Sequence, residues 1–204
     1  MNLEEIMEKI KKYIDFSFKK TDLIGLYSVI FCFVFVEIFN ITEIWENTFL
    51  ENLQLIPLIL GAILCFKAKK HRPFYIVIAM LLVLFFMREL SYGRVLFAAI
   101  PDNPHDFYPW SHYKWGYLAN IIIGLYLVSI FIFGIIKKIW NDIIAIINKV
   151  KFPFLSFLTT LIFIAFEITG EKIHNTVLEE ISELAIYCLT LSICIIYLKI
   201  TNKE

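Results

Sequence analysis

The chain has 204 residues, with 19 Lys or Arg against 19 Asp or Glu, so its formal net charge is zero. It is 59% hydrophobic and 19% charged, with mean hydropathy +0.73, against about 45–50% apolar for an ordinary soluble domain. Twenty Phe and ten Tyr against seven Gly and six Pro point away from a soluble bundle and toward long apolar helices. The fold class expected is all-α: a single polytopic membrane helical bundle over 1–204, with six transmembrane helices.

Residues 2–20 place Leu3, Ile6, Ile10, Tyr13 and Ile14 at helical spacing among Lys and Glu. That pattern predicts an amphipathic interfacial helix over 1–20, lying on the membrane or packing on the inner loops. No short signal-peptide pattern is evident, and the first apolar run reads as an uncleaved anchor. The first span is expected over 23–40, broken only by Ser28 and Glu37. After an acidic connector, the second covers about 53–66, carries Pro57, and ends in Lys67, Lys69, Lys70, His71 and Arg72. The third starts after Pro73 and reaches about Phe86, then continues as MRELSYGRVLF.

Pro101, Pro104 and Pro109 make 101–112 a rigid external loop. The fourth span is about 117–136. Residues 137–151 follow with Ile139, Ile143, Ile146, Ile147 and Val150 at helical spacing between lysines, a second interfacial helix. The fifth and sixth spans are about 154–168 and 184–200. Cys32, Cys65, Cys188 and Cys194 all fall in apolar runs and read as small hydrophobes.

Orientation follows from the basic residues. Five lie in the N-terminal segment, four in 67–72, four in 137–151 and two at the C-terminus. Only Arg88, Arg94, Lys114 and Lys172 fall on the opposite face. The positive-inside rule then puts both termini in the cytoplasm, with the chain multi-pass in a plasma (inner) membrane. Trp45, Trp110 and Trp115 fall at the outer interface and Trp140 at the inner one. The basic faces suit anionic lipid rather than nucleic acid.

Twelve of the 19 acids fall outside by the same sorting, with His105, His112 and His174. Glu37, Arg88, Glu89 and Glu167 fall within the outer thirds of spans, where a charge must find a partner or water. Glu167, Glu171 and His174, at i, i+4 and i+7, stack on one face of a continuing helix, and Glu179, Glu180 and Glu183 open the next run. A polar pocket of Glu37, Arg88, Glu89, Arg94, Glu167, Glu171, His174 and Glu183 is therefore expected to open outward.

ELSYGR at 89–94 resembles an E-[IL]-S-[WY]-G-[QR] motif of uncharacterised bacterial multi-pass membrane proteins, and Glu167 to Glu171 is similar to an E-x-x-x-G-E stretch there. The resemblance covers about thirty residues and implies that Glu89 and Arg94 matter, without implying a reaction. Membrane hydrolases of the alkaline ceramidase and adiponectin-receptor type need a paired-His motif on a late helix. His174 is the sole late His, so that activity is not carried over.

Three roles stay open. Glu171-x-x-His174 is a carboxylate–imidazole pair used by di-metal bundles, and Glu167, Glu183, Glu89, Glu179 and His112 could complete a divalent metal shell for ester hydrolysis. Glu37, Glu89, Glu167 and Arg88 could line an ion path, in an oligomer if at all, because the inner halves of the spans are nearly free of charge. Alternatively the ions pair structurally and present 101–116 to a protein partner, as an accessory, interaction or effector protein does. Catalytic candidates are Glu89, Ser91 and Arg94, although no base for Ser91 is identifiable. Walker, Rossmann and nucleophile-elbow motifs are absent from the sequence.

Overall fold

The computed structural model describes residues 5, 8, 12–17, 19–39, 41, 49–100 and 103–202, apart from the side chains of Thr21, Ala99 and 103–106. Half of the expected 1–20 helix lies outside these residues, as do Glu43, Trp45, Glu46, Asp102 and the side chains of His105 and Asp106. Eight α-helices dominate the rest: α1 Leu23–Phe39, α2 Phe49–Phe66, α3 Arg72–Glu89, α4 Arg94–Phe97, α5 Tyr117–Ile136, α6 Ile139–Lys149, α7 Phe154–Lys172 and α8 Thr176–Asn202. The all-α class holds. Among the described residues, two short strand pairs interrupt it: β1 Ile14–Asp15 with β4 Phe152–Pro153, and β2 Ala99–Ile100 with β3 Asn103–Phe107.

Four helices (α2, α5, α7 and α8) are long and apolar enough to cross a membrane, among the described residues. A fifth span results if α3 and the 91–97 segment, bent by 62°, are counted together. The first apolar run forms a 17-residue helix, just below that length. The last run departs most from expectation: α8 begins at Thr176, eight residues before the expected Leu184. Asn175 initiates it, its Oδ1 accepting the Leu178 backbone N–H at 2.9 Å, as an N-cap side chain does.

The C-terminal α8 is the centre of the bundle. Its Ile181, Leu184, Ala185 and Cys188 pack with Val29, Cys32 and Val36 of α1 and Leu50 of α2. Its Tyr187, Cys194 and Leu198 pack with Leu58, Ala62 and Cys65 of α2 and Tyr75, Ala79 and Leu82 of α3. A helix apolar on nearly every side is either enclosed by protein, as α8 is, or set in a membrane. α7 folds back along α8, and Gly170 makes the approach possible: a Cβ there would lie 2.8 Å from the Glu179 backbone nitrogen. By contrast, α5 exposes Ile122, Leu125, Phe131 and Ile136, and touches the bundle chiefly through Ile130, packed with Val77 and Ile139.

One end of the bundle collects the basic segments. Ile14 pairs with Phe152 in parallel register, His71 Nδ1 lies 2.9 Å from Asp142 Oδ1, and the Lys69 N–H donates to Asn202 Oδ1 at 3.2 Å. Ile14 and Asp15 are thus extended rather than helical, correcting the 1–20 reading at those positions. Their backbone finds partners across the bundle instead of within a turn. The 137–151 segment does form a helix, α6; Ile139 and Ile146 are buried, while Trp140, Ile144 and Ile147 are exposed. Lys19 pairs with Asp15, and this neighbouring ammonium lowers the Asp15 carboxyl to about 2, helped by hydrogen bonds from Ser17.

Candidate functional site

At the opposite end, the last turn of α3 meets the first turns of α8. Glu180, Glu183 and Tyr187 lie at i, i+3 and i+7, so one face of α8 presents all three inward. Arg88 and Glu89 close α3 against that face. The Arg88 Nε lies 3.1 Å from Glu89 Oε1, and its Nη2 donates to Glu183 Oε1. Tyr187 donates its hydroxyl to the same Glu89 oxygen at 2.6 Å. Glu89 and Glu183 are only 7% and 8% exposed, whereas the Arg88 side chain is 45% exposed. One half-open guanidinium therefore bridges two enclosed carboxylates.

The cluster extends on both sides. Glu167 of α7 lies close enough to the Glu183 carboxyl for the two to interact electrostatically. Gln54 of α2, fully buried, donates from Nε2 to Glu180 Oε2 at 2.6 Å and to the Glu180 carbonyl at 3.1 Å. Helices α2, α3, α7 and α8 are thus joined through polar groups at one level. Tyr187 and Gln54 were not expected here. Their signals were a phenol one turn beyond Glu183, and a lone amide within an apolar run.

Of the residues expected to converge, Arg88, Glu89, Glu167 and Glu183 do so, and the others do not. Glu37 is exposed on α1 without an ion-pair partner among the described residues. Arg94 turns back on its own segment, its Nε donating to the Ser91 carbonyl at 3.4 Å. Helix α7 ends at Lys172, so Glu171 and His174 cannot stack on one helical face. Both are exposed, and His174 sits in the left-handed turn at φ 55°. His112 stacks on Tyr108 with ring centroids 4.2 Å apart. The set Glu167, Glu171, His174, Glu183 and His112 is therefore not gathered. Among the described residues, no three His, Cys, Asp or Glu side chains form a group that could hold a metal ion. Ser91 lies at φ 46° with no hydrogen-bonded base among the described residues.

No family model matches this chain, and neither does any curated protein or solved structure. The site must therefore be read from its own geometry.

A second polar centre, unforeseen in the sequence, lies toward the basic end. Asp22 is 1% exposed, and its Oδ1 accepts from Ser156 at 2.8 Å and Ser192 at 2.9 Å. Its Oδ2 accepts the Lys19 backbone N–H at 2.9 Å. The pairing of Ile14–Asp15 with Phe152–Pro153 brings the start of α7, and hence Ser156, against Asp22. An enclosed carboxylate needs several donors, and this one has three. Both centres join helices that are distant in the chain.

Proposed function

We propose that this chain is a six-span integral protein of the plasma (inner) membrane, with both termini cytoplasmic. In this reading it acts as a non-catalytic accessory or interaction subunit rather than as an enzyme. The observation that carries the reading is the Arg88 bridge. Among the described residues, the one cation paired in this cluster is engaged by two carboxylates of its own chain, which leaves it a fastener between helices. Such enclosed ion pairs set which helices meet more than they add stability.

The orientation is supported by the separation of the two ends: the basic segments pair with one another, and the carboxylate cluster lies opposite. Six spans need α1 and α3 to cross as well. At about 1.5 Å per residue, α1 reaches about 25 Å and is extended by the Lys20–Asp22 turn, near the roughly 30 Å of hydrocarbon. The lysines of 137–151 and of 67–70 would lie against anionic lipid, and the 101–116 loop would face a protein partner.

Topology and chemistry are tested together. With the native cysteines all buried, Asn47→Cys should react with an impermeant maleimide on intact cells and Lys70→Cys should not. Reconstituted protein should show neither ion flux nor lipid hydrolysis. Labelling of Lys70→Cys from outside overturns the orientation. A flux or hydrolysis abolished by Arg88→Met in protein that remains folded overturns the non-catalytic role.

A further inference from the structure

A cavity of about 730 Å³ lies between α3 and α5 and belongs to neither polar centre. It arises from the break in α3. Ser91, Tyr92 and Gly93 take positive φ of 46°, 53° and 90°, and the chain turns by 62° into α4. Deeper in the bundle α3 and α5 stay together, where the Tyr126 hydroxyl donates to the Met80 carbonyl at 2.9 Å and Ile130 packs on Val77. Beyond that floor the helices part, and no side chain of the described residues fills the space. Val83, Met87, Ile123 and Ala119 form the walls, with Tyr92 and Trp110 toward the roof.

Two properties define what fits. No lining residue is charged, so the occupant is apolar along its length and carries no charge where it meets the protein. The Trp110 Nε1–H is buried and has no acceptor among the described residues. A buried indole N–H normally has a hydrogen-bond partner, so the occupant should bring an acceptor to the roof. The volume sets the size. An apolar cavity of about 150 Å³ takes one benzene ring, so about 730 Å³ takes on the order of thirty heavy atoms, a single long chain with its linkage.

We infer that the cavity between α3 and α5 binds one acyl chain of an ester-linked membrane lipid, its ester carbonyl accepting the Trp110 indole N–H. The chain would enter from the bilayer along α5, whose flank is exposed and apolar. This inference rests on the membrane-spanning reading but not on the Arg88 fastener or on the direction of the termini.

Equilibrium dialysis of the detergent-purified chain against tritiated palmitoylglycerol tests it, with hexadecane as competitor. Saturable binding of one molecule per chain is expected, and Ala119→Phe, which fills the cavity, should abolish it. Trp110→Phe keeps an aromatic ring but removes the donor. It should weaken palmitoylglycerol about fivefold, the usual worth of one hydrogen bond, and leave hexadecane competition unchanged. Should Ala119→Phe fail to fold, Ile123→Trp provides the same block. Uptake that never saturates, or is equal in the wild type and the filled variant, is partition into micelles and overturns the site. Equal affinity in Trp110→Phe overturns the carbonyl contact. Failure of binding with the topology intact would count against the cavity alone.

Discussion

Replacing Arg88 with Met keeps the length of the side chain and removes its charge and donors. Two interactions are lost, to Glu89 and to Glu183, each with a carboxylate under a tenth exposed. A hydrogen bond to a charged group contributes about 1.5–3 kcal/mol, and the half-exposed guanidinium argues for the lower part of that range. The expected destabilisation is about 2–4 kcal/mol, because two enclosed carboxylates lose their counter-charge. At about 2–4 °C per kcal/mol for a chain of this size, the unfolding midpoint should fall by about 5–15 °C. Cys32, Cys65, Cys188 and Cys194 are all buried, so a maleimide dye that fluoresces on thiol reaction reports unfolding in detergent. The diagnostic comparison is the Arg88→Met, Glu89→Gln, Glu183→Gln triple variant, which removes charge from both sides and should recover most of the loss. A midpoint unchanged in Arg88→Met, or a triple variant less stable than the single, would refute the idea that charge balance holds α3 on α8.

The same thermal assay checks the helix contacts. Gly170→Ala should lower stability by about 1–3 kcal/mol, because the new methyl meets the Glu179 backbone, which cannot swing aside as a side chain can. Gly124→Ala, with no atom within 4 Å of the added carbon, should be neutral or slightly stabilising; an equal loss at both positions would refute the close approach. Ser192→Ala removes one of three donors to Asp22 and should cost about 1–3 kcal/mol, whereas Glu37→Gln on the exposed face should stay within about 0.5 kcal/mol. For Asp15, the lowered carboxyl means the tie to Lys19 is present above the ordinary value of 3.8 and lost as pH falls toward about 2. A carboxyl-detected NMR titration should place its midpoint near 2, and a midpoint at 3.8 would show that Lys19 does not pair with it.

The amino-acid sequence by itself determined roughly where most of the apolar helices lie and where the basic residues fall between them. The expected 117–136 span coincides with α5, and α3, expected to start after Pro73, begins at Arg72 with Pro73 in its first turn, because apolar runs and helix-starting residues act locally. It also raised the expectation that Glu37, Arg88, Glu89 and Glu167, placed within the outer thirds of spans, would need partners or water. What it left open was pairing. Glu171 and His174 share a face with Glu167 only if α7 continues, but Asn175 caps a new helix and Gly170 lets the two backbones close on each other. Arg94 left the cluster because three consecutive left-handed residues re-aimed the chain, and Asp22 gained its serines from segments over a hundred residues away. Hydrophobicity is a property of each residue and accumulates along the chain. A hydrogen bond or an ion pair needs two groups brought to one place, and only the tertiary structure decides which two.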